Sequence, residues 1–461
     1  MMDSPHQVRR VRRRMDSPRR VRRRIAALVC AVALVLPLAA CDALTPGSAA
    51  EAPGQRSMPS STAVPDEDIT LRLQFADAPL MVDALIAAFE KDHPRITVEP
   101  QYKTFSDYVQ NLKLTMTSDT APDIAQYAVG MTDLAADGHI LDLAPYREAY
   151  GWDESIPAVS LDQLTAGRTS EATGGRALFG VPAGLSMTGI YYNKDLAEQA
   201  GIDGPPSTVA EFEDQLAAAK DAGLTPLGVG GLDSGGLHLW AALLNQTMPT
   251  DDYWDWVNGT EGATIEGRAG TTASEKVIEW GREGYYNESA NGTAQIDSTA
   301  QFSQGDSVFL INGNWAAGQL ATVMGDNVGF FPMPGVDASD PTVASGFSVS
   351  YAVSSRTEHP EAAGAFLDFL TTPEAGQIIS DNGFLPPNPK GVAKPEGVLA
   401  DVAEGHRRAV ADDGITTFPD FAAPAMLDRL RSGVQKLIAG RIEPADYLDS
   451  LQDEWEEHHG E

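Results

Sequence analysis

Residues Gly189 to Phe212 constrain the fold more tightly than any other stretch of this chain. An apolar-aromatic run, Gly189 to Tyr192, suits a buried strand. The polar turn Asn193-Lys194-Asp195 then opens a short helix that Gly201 closes. Pro205 and Pro206 stop any continuation. Thr208 with Glu211 three residues on has the spacing of a capping box. It starts a helix with Val209, Phe212, Leu216 and Ala219 along one face. A strand followed by two helices in this order is a piece of an α/β domain.

The same grammar opens the rest of the chain. Ile69, Leu71, Leu73 and Phe75 alternate as a half-buried strand. A helix with Met81, Leu85 and Phe89 follows and stops at His93-Pro94; then come a strand, Ile96 to Val98, and a helix with Phe105, Val109, Leu112 and Met116. This βαβα order predicts a parallel sheet with helices on its faces. The 461 residues exceed one ordinary core, so two domains of roughly 200 residues each are expected. No internal repeat of about 20–50 residues is visible.

Charge is divided sharply along the chain. Ten of the 33 basic and two of the 65 acidic residues fall within residues 1–40, leaving 23 against 63 and a formal charge of −40. So acidic a body argues against nucleic acid as a partner and implies a solvated surface. The basic start precedes an apolar run, Ile25 to Ala40, that ends Leu38-Ala39-Ala40-Cys41. A basic segment, a short apolar segment and small residues before a cut describe a signal peptide, 1–40. Leu-Ala-Ala-Cys resembles the bacterial lipobox, which implies lipidation of Cys41 and a disordered tether over 41–66. The other cysteine, Cys30, lies inside the signal, so no disulfide, thiolate metal cluster or cysteine catalysis is expected in the mature chain.

Particular residues carry a longer resemblance. Tyr191-Tyr192-Asn193-Lys194-Asp195-Leu196, then Ala200-Gly201-Ile202, then Pro205-Pro206 and a helix entered through Thr208, resemble the extracellular solute-binding proteins (family 1, maltose-binding-protein-like) that feed ABC-type sugar importers. Asn312-Gly313-Asn314-Trp315 resembles the family's Asn-Gly-Pro-Trp, with Asn314 in place of the proline, a departure expected to loosen the turn. Ala121-Pro122-Asp123-Ile124 and Val328 to Pro334 resemble further family segments. The resemblance spans nearly all of Ile69 to Trp455. It implies an α/β, two-lobed periplasmic-binding-protein-like fold, each lobe a mainly parallel sheet flanked by helices. Three hinge crossings are expected near Leu185–Met187, Gly329–Pro332 and Leu370–Pro373. Lobe 1 would be 67–185 plus 330–371, and lobe 2 would be 186–329 plus 372–461. The implied role is capture of a carbohydrate and delivery to ABC permease subunits. The implied protein is a monomer, lipid-anchored to the outer face of the cytoplasmic membrane, with no cofactor.

A sugar cleft needs aromatic platforms for C–H faces and planar polar groups for pairs of hydroxyls. By motif, Trp315 and Tyr127 match family platform positions. Ser186, at the first crossing, stands where some maltose-type members carry an acid, so their specificity does not transfer. Asp77 after the first strand, Asp233 and His238 in or beside the Gly-rich loop Gly228 to Gly236, Asn314 and Phe347 complete the candidates. Leu427 stands where maltose-type members stack a tryptophan; Phe418 or Phe421 would have to substitute. Trp240 is read as core, and Asp123 as a turn residue bonding local backbone.

The Gly-rich loop lacks both G-x-G-x-x-G spacing and a P-loop lysine, so a loop passing close to a ligand or to another backbone suffices to explain it. There is no His-Glu-x-x-His, Gly-x-Ser-x-Gly or Cys-His arrangement, and no catalytic or metal site is expected. Acidic pairs such as Asp251-Asp252 and Asp412-Asp413 are common in so acidic a chain and single out no glycosidase. The readings that stay open are the same fold with a non-sugar solute, such as a glycerophosphodiester or polyamine, a secreted carbohydrate-active hydrolase, and a sensor or adhesin lipoprotein.

Overall fold

The computed structural model describes residues 56–128, 130–165 and 168–460. The signal segment, Cys41 and the tether through residue 55 lie outside the described residues. Among the described residues, eleven strands run in chain order: β1 (Ile69–Phe75), β2 (Ile96–Tyr102), β3 (Ile124–Gln126), β4 (Val181–Leu185), β5 (Thr188–Asn193), β6 (Leu227–Gly228), β7 (Phe309–Gly313), β8 (Val328–Phe331), β9 (Ala344–Ser345), β10 (Ser348–Val353) and β11 (Ile415–Thr416).

Two sheets organise two lobes. The first has the order β2-β1-β3-β10-β4 and the second β6-β7-β5-β8. In the first, β10 is antiparallel to β3 and β4 while β1 is parallel to β2 and β3. In the second, β5 is antiparallel to β7 and β8, and β6 is parallel to β7. Each sheet therefore holds one reversed strand in an otherwise parallel order. Side-chain alternation explains why the second sheet is covered on both faces. Ile190, Phe309, Ile311 and Phe331 join the core on one side. Their chain neighbours Tyr191, Leu310 and Phe330 join a smaller cluster on the other, with Val398 and Val402 from the helix Gly397–Ala411.

Local signals behave as their chemistry requires. Asn193 accepts from the Leu196 N–H at 3.2 Å, and Gly201 closes that short helix at φ 74°. Thr208 accepts from the Glu211 N–H at 3.1 Å, while the Glu211 carboxylate reaches back to the Ser207 N–H at 2.7 Å. In the Gly-rich loop, a Cβ on Gly230 would lie 2.5 Å from the Gln295 Cα, and one on Gly235 would lie 2.6 Å from the Gly230 carbonyl. Only glycine permits that backbone approach.

Several expectations require correction. The chain crosses first between Leu185 and Thr188, as expected, but β8 pairs with β5 through Ile190 and Phe331, so 329–332 stays in the second sheet. The second crossing falls at Gly346-Phe347, between β9 and β10. Thr372 caps a helix, Pro373–Asp381, whose Ala375 and Ile379 belong to the first core with Phe384. The third crossing therefore follows Phe384 and precedes the helix at Gly397. Lobe boundaries at 330 and 372 fail because those strand and helix faces are apolar and bury where they pair. The end of the expected tether is also bound: Met58 is 3% exposed in the first core, and its N–H donates to the Asp142 carbonyl at 2.9 Å. Asp123 does not cap its own turn; it accepts from the Arg72 backbone N–H at 2.9 Å and from the Thr357 hydroxyl at 2.9 Å.

Candidate ligand site

A cavity open on one side lies where the lobes meet. Phe105, Gln126, Tyr127 and Asp77 come from first-lobe segments that end or follow β1 to β3. Leu237, His238, Gln295, Trp315, Phe418 and Asp420 come from the second. Phe105 packs against both large cores, so the lobes touch beside the cavity. Phe347, at the second crossing, places its ring centroid 4.8 Å from that of Phe421.

The aromatic wall is built from turns that strands hold in place. One residue separates Trp315 from the end of β7, and a Cβ on Gly313 would overlap its indole, so glycine lets the ring fold back over the strand end. The His238 ring lies 5.3 Å from Trp315 and 5.7 Å from Phe418, and Trp315 lies 6.2 Å from Phe418, centroid to centroid. His238 projects from the helix Gly235–Asn245. Burial lowers it to about 4, so it is neutral near pH 7. The Gln295 amide donates to His238 Nδ1 at 2.9 Å and to Asn312 Oδ1 at 2.8 Å. With Nδ1 accepting, the imidazole proton sits on Nε2.

Two carboxylates line the same cavity. Asp77 follows β1 and takes the Gln126 side-chain amide, while Gln126 Oε1 accepts from the Ala76 and Asp77 N–H groups at 2.9 and 3.2 Å. Burial raises Asp77, and the bond from Gln126 opposes that shift. Asp420 lies in the short helical turn Pro419–Ala422 and is only 3% exposed. Burial pushes it up to about 6, countered only by its own backbone N–H. No Lys or Arg is among the described residues that line the cavity.

A family model for bacterial extracellular solute-binding proteins matches residues 78–377. The chain belongs to this family. It is 23% identical over 315 residues to the maltodextrin-binding protein of Bacillus subtilis (strain 168), covering 67% of this chain and 70% of that one. It is 26% identical over 325 residues to the sn-glycerol-3-phosphate-binding periplasmic protein of Shigella flexneri, covering 66% and 70%. Among solved structures, a chitin oligosaccharide binding protein superposes with a TM-score of 0.73 at 23% identity, over 86% of this chain and all of that one. The two-lobed fold is shared with that structure.

Of the residues singled out in this solute-binding protein's sequence, six line the cavity: Asp77, Tyr127, Ser186, His238, Trp315 and Phe347. Tyr127 is 6% exposed and its hydroxyl meets the Thr132 hydroxyl at 3.4 Å. Ser186 faces the cavity but its hydroxyl is engaged, donating to the Phe347 carbonyl at 2.7 Å and accepting from the Phe347 N–H at 2.9 Å. Two candidates are not cavity residues. Asp233 accepts from the Ser234 and Gln295 N–H groups, both at 2.8 Å, and so pins the loop beneath the site. Asn314 is fully buried between crossings. Trp240 is core, its indole N–H bonded to Ser274 at 3.0 Å, and Leu427 is core as well.

Phe418 and Phe421 both line the cavity wall. Gln126, Gln295, Phe105 and Asp420 escaped sequence reasoning. Gln126 stands at the C-terminal end of a buried strand, one residue before Tyr127, and that position was a usable signal. Asp420 had none, because its segment carries no motif.

Proposed function

We propose that this solute-binding protein captures a carbohydrate between its lobes and presents it to the permease of an ABC-type importer. The observation that carries the reading is the cavity where the lobes meet, walled by Trp315, Phe418, Phe421, Phe347 and Tyr127 and edged by Asp77, Asp420 and His238. Ring faces suit the C–H surfaces of sugars, and the carboxylates suit their hydroxyls. Two of the similar proteins named above are described as binders of maltodextrin and of chitin oligosaccharide. Capture works by closure, with 56–185 and 348–385 moving against 188–345 and 397–460 about the three crossings. A ligand that touches both walls favours the closed form by the contacts it gains there. Cys41, once lipidated, would hold the protein on the outer face of the cytoplasmic membrane. No step of this role calls for a catalytic residue.

The relative described as binding sn-glycerol-3-phosphate raises a phosphate ester as a second ligand class. The cavity wall speaks against it, since it offers two carboxylates and no Lys or Arg to meet a phosphate. Thermal-shift measurements against mono- and oligosaccharides, with glycerol phosphates alongside, test the proposal. A true ligand at 100 times its dissociation constant stabilises by about 2.7 kcal/mol. Stabilisation by a glycerol phosphate and by no saccharide overturns the carbohydrate reading.

A further inference from the structure

The polar inventory of the cavity is lopsided. Both Gln295 amide hydrogens are engaged, by His238 and Asn312. The Gln126 amide is directed to Asp77, and the Ser186 hydroxyl proton goes to Phe347. Among the described lining residues, His238 Nε2–H and the Ser234 hydroxyl remain as donors. The acceptors are charged: Asp77 from one lobe and Asp420 from the other. Among the described residues, no side chain or neighbouring backbone group donates to the Asp420 carboxylate, although it is 3% exposed. A buried carboxylate met only by its own backbone N–H is costly, and a bound cation lowers that cost by supplying both charge and N–H donors. A neutral sugar hydroxyl asks for donors as well as acceptors, whereas an ammonium group donates only.

We propose that the solute carries a protonated amine, as in an amino-substituted saccharide, whose nitrogen is held by Asp420 and lies against the Trp315 and Phe418 rings. The inference rests on the carbohydrate reading and narrows its ligand class. Aromatic faces attract cations when water is excluded, and a charge-assisted bond to a carboxylate is among the stronger polar contacts. Burial that raises Asp420 fits the same picture, because a cation beside it would favour the ionised form. Asp77 adds a second negative charge on the same cavity, and no basic side chain lining it competes.

The test is titration calorimetry on the purified protein with matched sets of ligands. Glucosamine, galactosamine and glucosamine di- and trisaccharides are each compared with the N-acetylated and the hydroxyl sugar of the same length, with spermidine as a sugar-free amine. The amine form is expected to bind at least about 10-fold more tightly than its neutral counterparts. Asp420→Asn should remove most of that preference, and its melt without ligand shows whether the variant is folded. Equal or tighter binding of the neutral forms overturns the amine assignment and leaves the carbohydrate reading standing. A preference that survives intact in folded Asp420→Asn overturns the role of that residue. Binding of spermidine alone supports the cation site and overturns the carbohydrate reading; silence across the whole panel counts against both.

Discussion

The side-chain amide of Asn314 donates to the Gly383 carbonyl at 2.8 Å, joining segments 69 residues apart. The same amide donates to the Leu185 carbonyl at 3.0 Å, and its oxygen accepts from the Met187 N–H at 3.0 Å. Asn314 thus clamps the first crossing to the approach of the third. Ser186 does the same for the first and second crossings through Phe347, and the Leu185 N–H donates to the Leu385 carbonyl at 2.9 Å. The expectation that asparagine here loosens the turn is reversed: three side-chain bonds tighten it.

Replacing Asn314 tests that clamp. Asn314→Ala loses three buried bonds and should cost about 3 kcal/mol of unfolding free energy at roughly 1 kcal/mol each. Asn314→Pro should cost more, because the Asn314 N–H also donates to the Met187 carbonyl at 3.0 Å. Urea melts rank the two; proline equal to or better than alanine would show that the backbone bond contributes nothing.

Trp315 is only partly buried and packs against the first core and the smaller cluster of the second sheet. Trp315→Ala should weaken solute binding by about 10- to 100-fold, as truncation of a central interface aromatic does. Apo stability should fall by about 2 kcal/mol, less than for a fully buried tryptophan. Near-native affinity in a badly destabilised variant would assign the ring to packing instead.

Asp420 makes stability depend on pH. Below about pH 4 its carboxyl is protonated in folded and unfolded chains alike. Its folded value is about 6, so as pH rises from the ordinary carboxylate range to about 6 the unfolded chain ionises first and stability is lost. A shift of about two units corresponds to about 3 kcal/mol. Without ligand, Asp420→Asn should therefore match the wild type near pH 3 and exceed it at pH 7. Parallel melting curves across that range decide the matter.

Met58 makes the segment before β1 part of the first lobe. Met58→Ala should cost about 2–3 kcal/mol, and a chain beginning at residue 67 should melt below one beginning at residue 56. Identical calorimetric midpoints for the two lengths would return the segment to the status of a linker.

Cys41 carries the anchoring proposal. Cys41→Ser should shift the protein from the membrane fraction to the medium, or leave it as unprocessed precursor, on immunoblots of fractionated cells. A processed Cys41→Ser product that stays on the membrane excludes a lipid anchor at this position.

What the chain revealed unaided was local or periodic. The alternation of β1, the helix faces of Phe212 and Leu216, the caps at Asn193 and Thr208, and the glycine closure at Gly201 each depend on neighbours within a few residues. Six cavity residues were also legible: motifs mark Trp315 and Tyr127, and position along the chain suggests Asp77, Ser186, His238 and Phe347. The crossings were misplaced where a strand buried on both faces, Val328–Phe331, carries no mark of which sheet it joins. Tertiary structure alone decided that Asn314 spans three segments, that Asp233 pins a loop while Asp420 lines the cavity, and that Gln126 and Gln295 orient their neighbours. Burial and hydrogen-bond partners set those roles, and most of those partners lie dozens of residues away, where no spacing in the sequence reaches.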